Sequence, residues 1–198
     1  LIIKKMIIFN PLKEIIIWFE YIINFLPGKI GKLIRIFWFS IRTRKIFGVS
    51  VDTGCRFIMI SNIEFGKGVG ISRNCSFLAD GGKIIIGDKT AFNENCHINA
   101  SNGGTIKIGK KCPIGPNVVM RTSNHNFNNK NIYIQDQGHT SGNITIEDNC
   151  WIAANVTILN NVKIGKGSVI GAGAVVTNNI PENSIAVGIP AKAIKKIP

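Results

Sequence analysis

IEDNCW-IAANVT-ILNNVK-IGKGSV-IGAGAV-VTNNIP, residues 146–181, is six hexads in unbroken register. Ile146, Ile152, Ile158, Ile164, Ile170 and Val176 open successive hexads, and the fifth places hold Cys150, Val156, Val162, Ser168, Ala174 and Ile180. A period of six is neither the 3.6 of a helix nor the 2 of one long strand. It marks one short strand and one turn, repeated. Upstream, the frame recurs as Phe65, Ile71, Phe77, then Ile86, Phe92, Ile98, then Ile108, Ile114, Met120. These are groups of three with a few extra residues between groups. Three hexads close one triangular coil, and stacked coils bury the recurring apolar residue in a continuous interior column. The expected fold is all-β, a parallel β-helix.

The frame breaks once in this half of the chain. From Met120 to Ile146 the spacing is 26 residues where the repeat predicts 6, so twenty residues are extruded. A solenoid tolerates an insertion as a loop leaving a corner, and such loops commonly build sites. This one is Asn-rich, carries Gly138 and Gly142, and holds two of the three histidines, His125 and His139. His125 stands at its root, where the rigid coil can fix one ring nitrogen and leave the other for proton transfer. His139 is placed in the flexible part of the loop. His97 stands one place before Ile98, on a coil wall, where a structural or subunit-contact role is expected.

The cysteines follow the repeat. Cys75, Cys96, Cys112 and Cys150 stand four places after a repeat hydrophobe, and Cys55 does so relative to Val51. All five are expected to be small corner residues in a reducing compartment. Their odd number and lack of paired spacing argue against a disulfide framework or a zinc site.

The chain has 198 residues and a net charge of +13. Residues 1–47 contribute nine Lys/Arg against Glu14 and Glu20, so more than half of the excess lies outside the repeats. Residues 12–26 are strongly apolar, fall short of the roughly 20 residues of a spanning helix, and stop at Pro27-Gly28. No secretory-type cleavage site follows them. From Ile30, apolar residues at 30, 33, 34, 37, 38 and 41 have helical spacing, with Lys29, Lys32, Arg35 and Arg42 mostly on the other face. Two readings stay open: an interfacial hairpin on an anionic membrane, or a helical cap over the first coil. A nucleic-acid partner is not expected, because the repeats lack basic and aromatic stacking platforms. The organisation expected is a helical segment 1–47, a β-helix 48–181 with an extruded loop 124–143, and a C-terminal cap with a short tail or helix at 182–198. The chain opens on Leu1 rather than Met, so its true start is expected to differ from this numbering.

SNHNF at 123–127, IQDQGHT at 134–140, IEDNCWIAANVTIL at 146–159, VKIGKGSVIGAGAVVTNNIP at 162–181 and VGIPAK at 187–192 occur in an order that resembles the hexapeptide-repeat acyltransferases. Within them, the sugar and polysaccharide O-acetyltransferases related to galactoside, maltose and streptogramin acetyltransferases are most similar. The resemblance covers roughly 50–192. It implies a left-handed coil, a homotrimer, and direct transfer from acetyl-CoA without an acyl-enzyme or a metal. It further implies His125 as general base and Asn93 as a contact to the acetyl or acceptor oxygen. The backbone N–H near Ala154 would receive the oxyanion, Trp151 would line the CoA channel between subunits, and Ala172 and Thr177 would meet the pantetheine arm. Lys192 and Lys195 would meet the nucleotide phosphates, and His139 would contact substrate. From the residues alone, Asn93 could instead be an Asx-type corner, and the two lysines a solvated tail. Asn178 stands where relatives usually carry Lys, and Ala153 where they usually carry Gly. Trp151 follows a repeat hydrophobe by five places, so it should project outward.

The function expected is O-acetylation of a sugar hydroxyl in envelope polysaccharide biosynthesis, in the cytoplasm at the inner membrane face. The alternative is N-acetylation of a nucleotide-linked amino sugar. A zinc-dependent carbonic anhydrase is disfavoured because His97, His125 and His139 lack a closely spaced pair. A passive scaffold is disfavoured because it needs neither the histidine loop nor an outward Trp.

Overall fold

The structure is a computed structural model that describes residues 11–43 and 48–198. Two helices, α1 (Pro11–Phe25) and α2 (Gly28–Thr43), precede a triangular prism of short strands. The prism has three walls. The first stacks Val49–Val51, Val69–Ile71, Ala91–Phe92, Pro113–Ile114, Trp151–Ile152, Val169–Ile170 and Ser184–Gly188 in parallel. The second runs from Arg56–Ile58 to Val175–Val176, and the third from Ile63–Phe65 to Val162–Ile164. Ile152 pairs with Ile170, one rung of eighteen residues later. Ile114 pairs with Ile152, thirty-eight residues on, which is one rung plus the twenty extruded.

The hexad opens each strand's inward position. Ile98, Ile106, Ile144, Ile152, Ile158, Ile164, Ile170 and Val176 are wholly buried. Burying each such side chain contributes about 1.5–3 kcal/mol, so the interior column dominates the stability of the prism. The turns need a second feature. The fourth place of the hexad adopts positive φ, from 54° to 60°, at Asn74, Lys89, Asn95, Lys111, Asn117, Asn149, Asn155 and Asn161. Asparagine tolerates this region better than other non-glycine residues, which explains its recurrence in the repeats.

The fifth place lines the corners. Cys55, Cys75 and Cys96 stack along one corner, and Cys112 and Cys150 along another, all buried and free. Each thiol donates to a carbonyl of the next rung, Cys55 to Ser72 at 3.0 Å and Cys150 to Gly165 at 3.1 Å. The hydrogen bond from the neighbouring thiol in the stack, together with burial, raises Cys55, Cys96 and Cys150 above the ordinary thiol range. The same hydrogen bonds lower Cys75 and Cys112, the acceptors within each stack, and all five are buried corner residues.

Both ends of the prism are closed. At the start, Phe39 of α2 enters the aromatic stack of Phe57, Phe65, Phe77 and Phe92, its ring 4.8 Å from Phe57 and 5.2 Å from Phe65. Arg35 is buried beneath α2 and donates to the Leu26 and Val51 carbonyls. The face of α2 on the coil is therefore Gly31, Arg35 and Phe39, not the apolar stripe that helical spacing marks out. At the other end, Ala191–Lys196 is neither helix nor strand-free tail but a strand antiparallel to Ser184–Gly188, which covers the last open edge.

Candidate functional site

The long loop leaves the corner between the second and third walls, where the earlier rungs also place their extra residues. It opens as an antiparallel hairpin, Ser123–His125 against His139–Ser141. His125 lies directly opposite His139, with ring centroids 4.1 Å apart and planes at 41°. This corrects the expectation for His139. Strand pairing across thirteen residues brings it back to the loop root beside His125, so the two imidazoles form one exposed pair.

Amide side chains hold the pair in place. Asn126 donates to the Gln137 carbonyl at 3.0 Å and accepts from the Thr140 hydroxyl. Asn124 donates to Asn160 on the next rung at 2.9 Å. Gln137 turns inward and bonds the carbonyls of Asn129 and Ile132, both at 2.8 Å. Thr122, buried at the root, receives the Gly142 N–H on its carbonyl at 2.8 Å. Sequence reasoning did not single out Asn124, Asn126 or Gln137. The loop's richness in Asn was the available signal, since side-chain amides can replace backbone pairing in an irregular segment.

The other expected residues gather elsewhere. Asn93, Trp151, Ala154 and Ala172 lie on the first wall or at the corner where it meets the second. Trp151 faces outward at 52 % exposure, as its place in the hexad requires. Asn93 is exposed and forms the Asx corner, its Oδ1 accepting the Glu94 N–H at 2.8 Å. Its side-chain amide nitrogen keeps no partner, so what it can offer a ligand is a donor.

The turn N–H groups differ in their partners. At the third place of the hexad, Asp52 caps Thr53, Asp88 caps Lys67, Asp148 caps Lys110 and Glu147 caps Lys166. The equivalent N–H groups of Ala154 and Ala172 have no partner among the described residues, and neither do those of Arg73, Asp88 and Asp148. An uncapped, fixed backbone donor is what a developing oxyanion needs. Thr177 stands at the second corner, where its hydroxyl accepts from Asn178 at 3.0 Å. Lys192 and Lys195 project from the closing strand, exposed and without an ion pair.

His97 is half-buried on the second wall, paired between Ser76 and Val119. Burial, then the Arg121 guanidinium, holds its pKa below the ordinary histidine value. Among the described residues no three His, Cys, Asp or Glu side chains come together to hold a metal. A cavity of about 720 Å³ lies between the helices and the first rung, lined by Tyr21, Trp38, Phe57 and Arg42. It is three rungs from the histidine pair and belongs to the cap.

Residues 143–178 match the six-repeat bacterial transferase hexapeptide family. A Schizosaccharomyces pombe protein named as an inferred acetyltransferase is 39 % identical over 137 residues, 69 % of this chain and 54 % of that one. The galactoside O-acetyltransferase of Lactococcus lactis is 33 % identical over 136 residues, again 69 % of this chain and 54 % of that one. The matches thus span just over half the length of these relatives. Among solved structures, AntD, an N-acyltransferase from Bacillus cereus in complex with a dTDP-amino sugar and coenzyme A, superposes with a TM-score of 0.67. That likeness covers 76 % of this chain and 82 % of that one at 22 % identity, and concerns the fold. Stacked hexads in register define a hexapeptide-repeat protein, and residues 143–178 carry the bacterial transferase hexapeptide. Over 69 % of its length the chain is similar to the two acetyltransferases named above.

Proposed function

We propose that this protein transfers the acetyl group of acetyl-CoA to a sugar hydroxyl, in the assembly of an envelope polysaccharide, as a homotrimer with its sites between chains. The observation that carries this reading is the level of the hairpin. It leaves the fourth rung, while the first wall and its corner with the second offer Asn93 on the third rung and Trp151 and Ala154 on the fifth. With rungs about 4.8 Å apart, a neighbour packed side by side presents those groups just below and above His125.

In this arrangement His125 takes the proton of the acceptor hydroxyl as its oxygen attacks the thioester carbonyl. The N–H of Ala154 receives the oxyanion of the tetrahedral intermediate, with the amide of Asn93 as a second donor. Collapse expels the coenzyme A thiolate, which is protonated by the imidazolium, so the base is regenerated and no acyl-enzyme forms. Trp151 and Ala172 flank the pantetheine arm, with Thr177 from the second corner, and Lys192 and Lys195 meet the nucleotide phosphates. His139, beside His125, contacts the acceptor. Acetyl-CoA supply places the reaction in the cytoplasm, at the inner face of the membrane.

Thiol release from acetyl-CoA across a panel of neutral sugars, glycans and nucleotide-linked amino sugars tests this. Release with hydroxyl-only acceptors, giving products that alkaline hydroxylamine cleaves, is the expected result. Release confined to amino sugars, giving resistant amides, would move the chain to N-acetylation.

A further inference from the structure

We propose that the outward faces of the two helices dock this protein onto an anionic lipid bilayer, lying along its surface without crossing it. The proposal stands apart from the transferase reading, because it concerns the opposite side of the cap from the prism.

Each helix has two faces with different tasks. The inner face closes the first rung through Ile23, Asn24, Arg35 and Phe39: Asn24 donates to the Cys55 carbonyl at 2.9 Å and accepts the Gly54 N–H at 3.3 Å. The outer face closes nothing. On α2, Ile30, Leu33, Phe37 and Ile41 follow one another at helical spacing and are 53–75 % exposed. On α1, Ile15, Trp18, Ile22 and Phe25 do the same at 53–71 % exposure. Eight large apolar side chains in two stripes exceed the scattered apolar residues of an ordinary surface.

Charge identifies the occupant. Lys29 and Lys32 are exposed on the flank of the α2 stripe. Glu20 is taken up by Arg42 and the Trp38 indole, leaving Glu14 as the one exposed acid in this part of the described residues. Lys29 and Lys32 outnumber Glu14 among the exposed charges described on the two helices, so a second copy would meet this face with like charge, whereas an anionic headgroup layer complements it. Trp18, Tyr21 and Phe25 are the side chains that settle at the boundary between headgroups and hydrocarbon. The helices have 15 and 16 residues, and no described helix is long and apolar enough to cross a bilayer. An in-plane position follows.

The full chain sedimented with vesicles of phosphatidylcholine, with and without phosphatidylglycerol, tests the proposal. Binding to the mixed vesicles should exceed binding to phosphatidylcholine alone by about tenfold and fall with added salt. Leu33→Glu/Phe37→Glu, which touches no inner-face contact, should weaken it by about tenfold or more, with circular dichroism unchanged. Lys29→Glu/Lys32→Glu should remove the preference for anionic lipid. Absence of sedimentation with either vesicle, or parental binding by Leu33→Glu/Phe37→Glu, overturns the proposal. So does an assembly larger than the parent oligomer in solution that Leu33→Glu/Phe37→Glu disperses, which would assign the face to a second copy.

Discussion

Trp151 and His125 stand on different faces of the same prism. Trp151 lies on the first wall, in register with Val169, while His125 is carried by a hairpin that leaves the corner of the second and third walls. Trp151 projects from the first wall, and the hairpin of His125 leaves a corner that does not border that wall. In the proposed function, a site that uses both is completed by another copy.

Replacing His125 by Ala removes the proposed base. Turnover should fall roughly 10²–10⁴-fold, with the melting temperature close to that of the parent, since the ring is exposed and packs only on His139. Near-normal turnover in a steady-state assay would remove His125 from the chemistry.

Trp151→Ala strips an exposed indole from a wall whose core lies on the other side of the strand. Stability should change little, and KM for acetyl-CoA should rise by about tenfold with a smaller effect on kcat. An unchanged KM would reject the channel assignment.

Gly142 sits where the loop returns to the prism, and a Cβ there would collide with the side-chain amide of Asn161. Gly142→Ala must therefore displace either the exposed Asn161 side chain or the strand that carries His139 and, through pairing, His125. Turnover should drop by an order of magnitude or more. Turnover at the parental level would show that the hairpin's anchoring does not matter to catalysis.

His97 sets a pH dependence of stability. Because burial and Arg121 lower its pKa, the folded chain prefers the neutral ring. As pH falls past the ordinary value of about 6.5, the unfolded chain takes up the proton first, and stability is lost until the folded value is passed. Above that window the contribution is constant. Melting temperatures at pH 7 and pH 5 should differ less in His97→Thr than in the parent, and equal differences would contradict this.

The prism was legible because its signal is periodic: Ile146 through Val176 occupy the inward positions their spacing implies, and Trp151 faces outward for the same reason. The insertion was visible as a break in that period, but its internal pairing was not. Nothing local marks His139 as the partner of His125, since hairpin register is set by the turn and side-chain amides between them. Which face of α2 meets the coil was not legible. Spacing marks apolar residues at 30, 33, 34, 37, 38 and 41 without saying what they face, and the coil accepts Phe39 and Arg35, because an open rung lined with Phe57 and Phe65 offers both ring stacking and free carbonyls. The uncapped N–H groups of Ala154 and Ala172 depend on which neighbouring carboxylates reach the turn, a relationship between rungs.

Mixed oligomers test the central claim most directly. His125→Ala and a Trp151→Glu variant, each inactive alone, would be co-expressed with different tags and purified as one species. Sites that join two chains should recover about a third of parental turnover, because every trimer that carries both tags has one of its three sites with both residues intact. Recovery no greater than the sum of the two parent variants would mean that each chain works alone, and the proposed site between chains would be wrong.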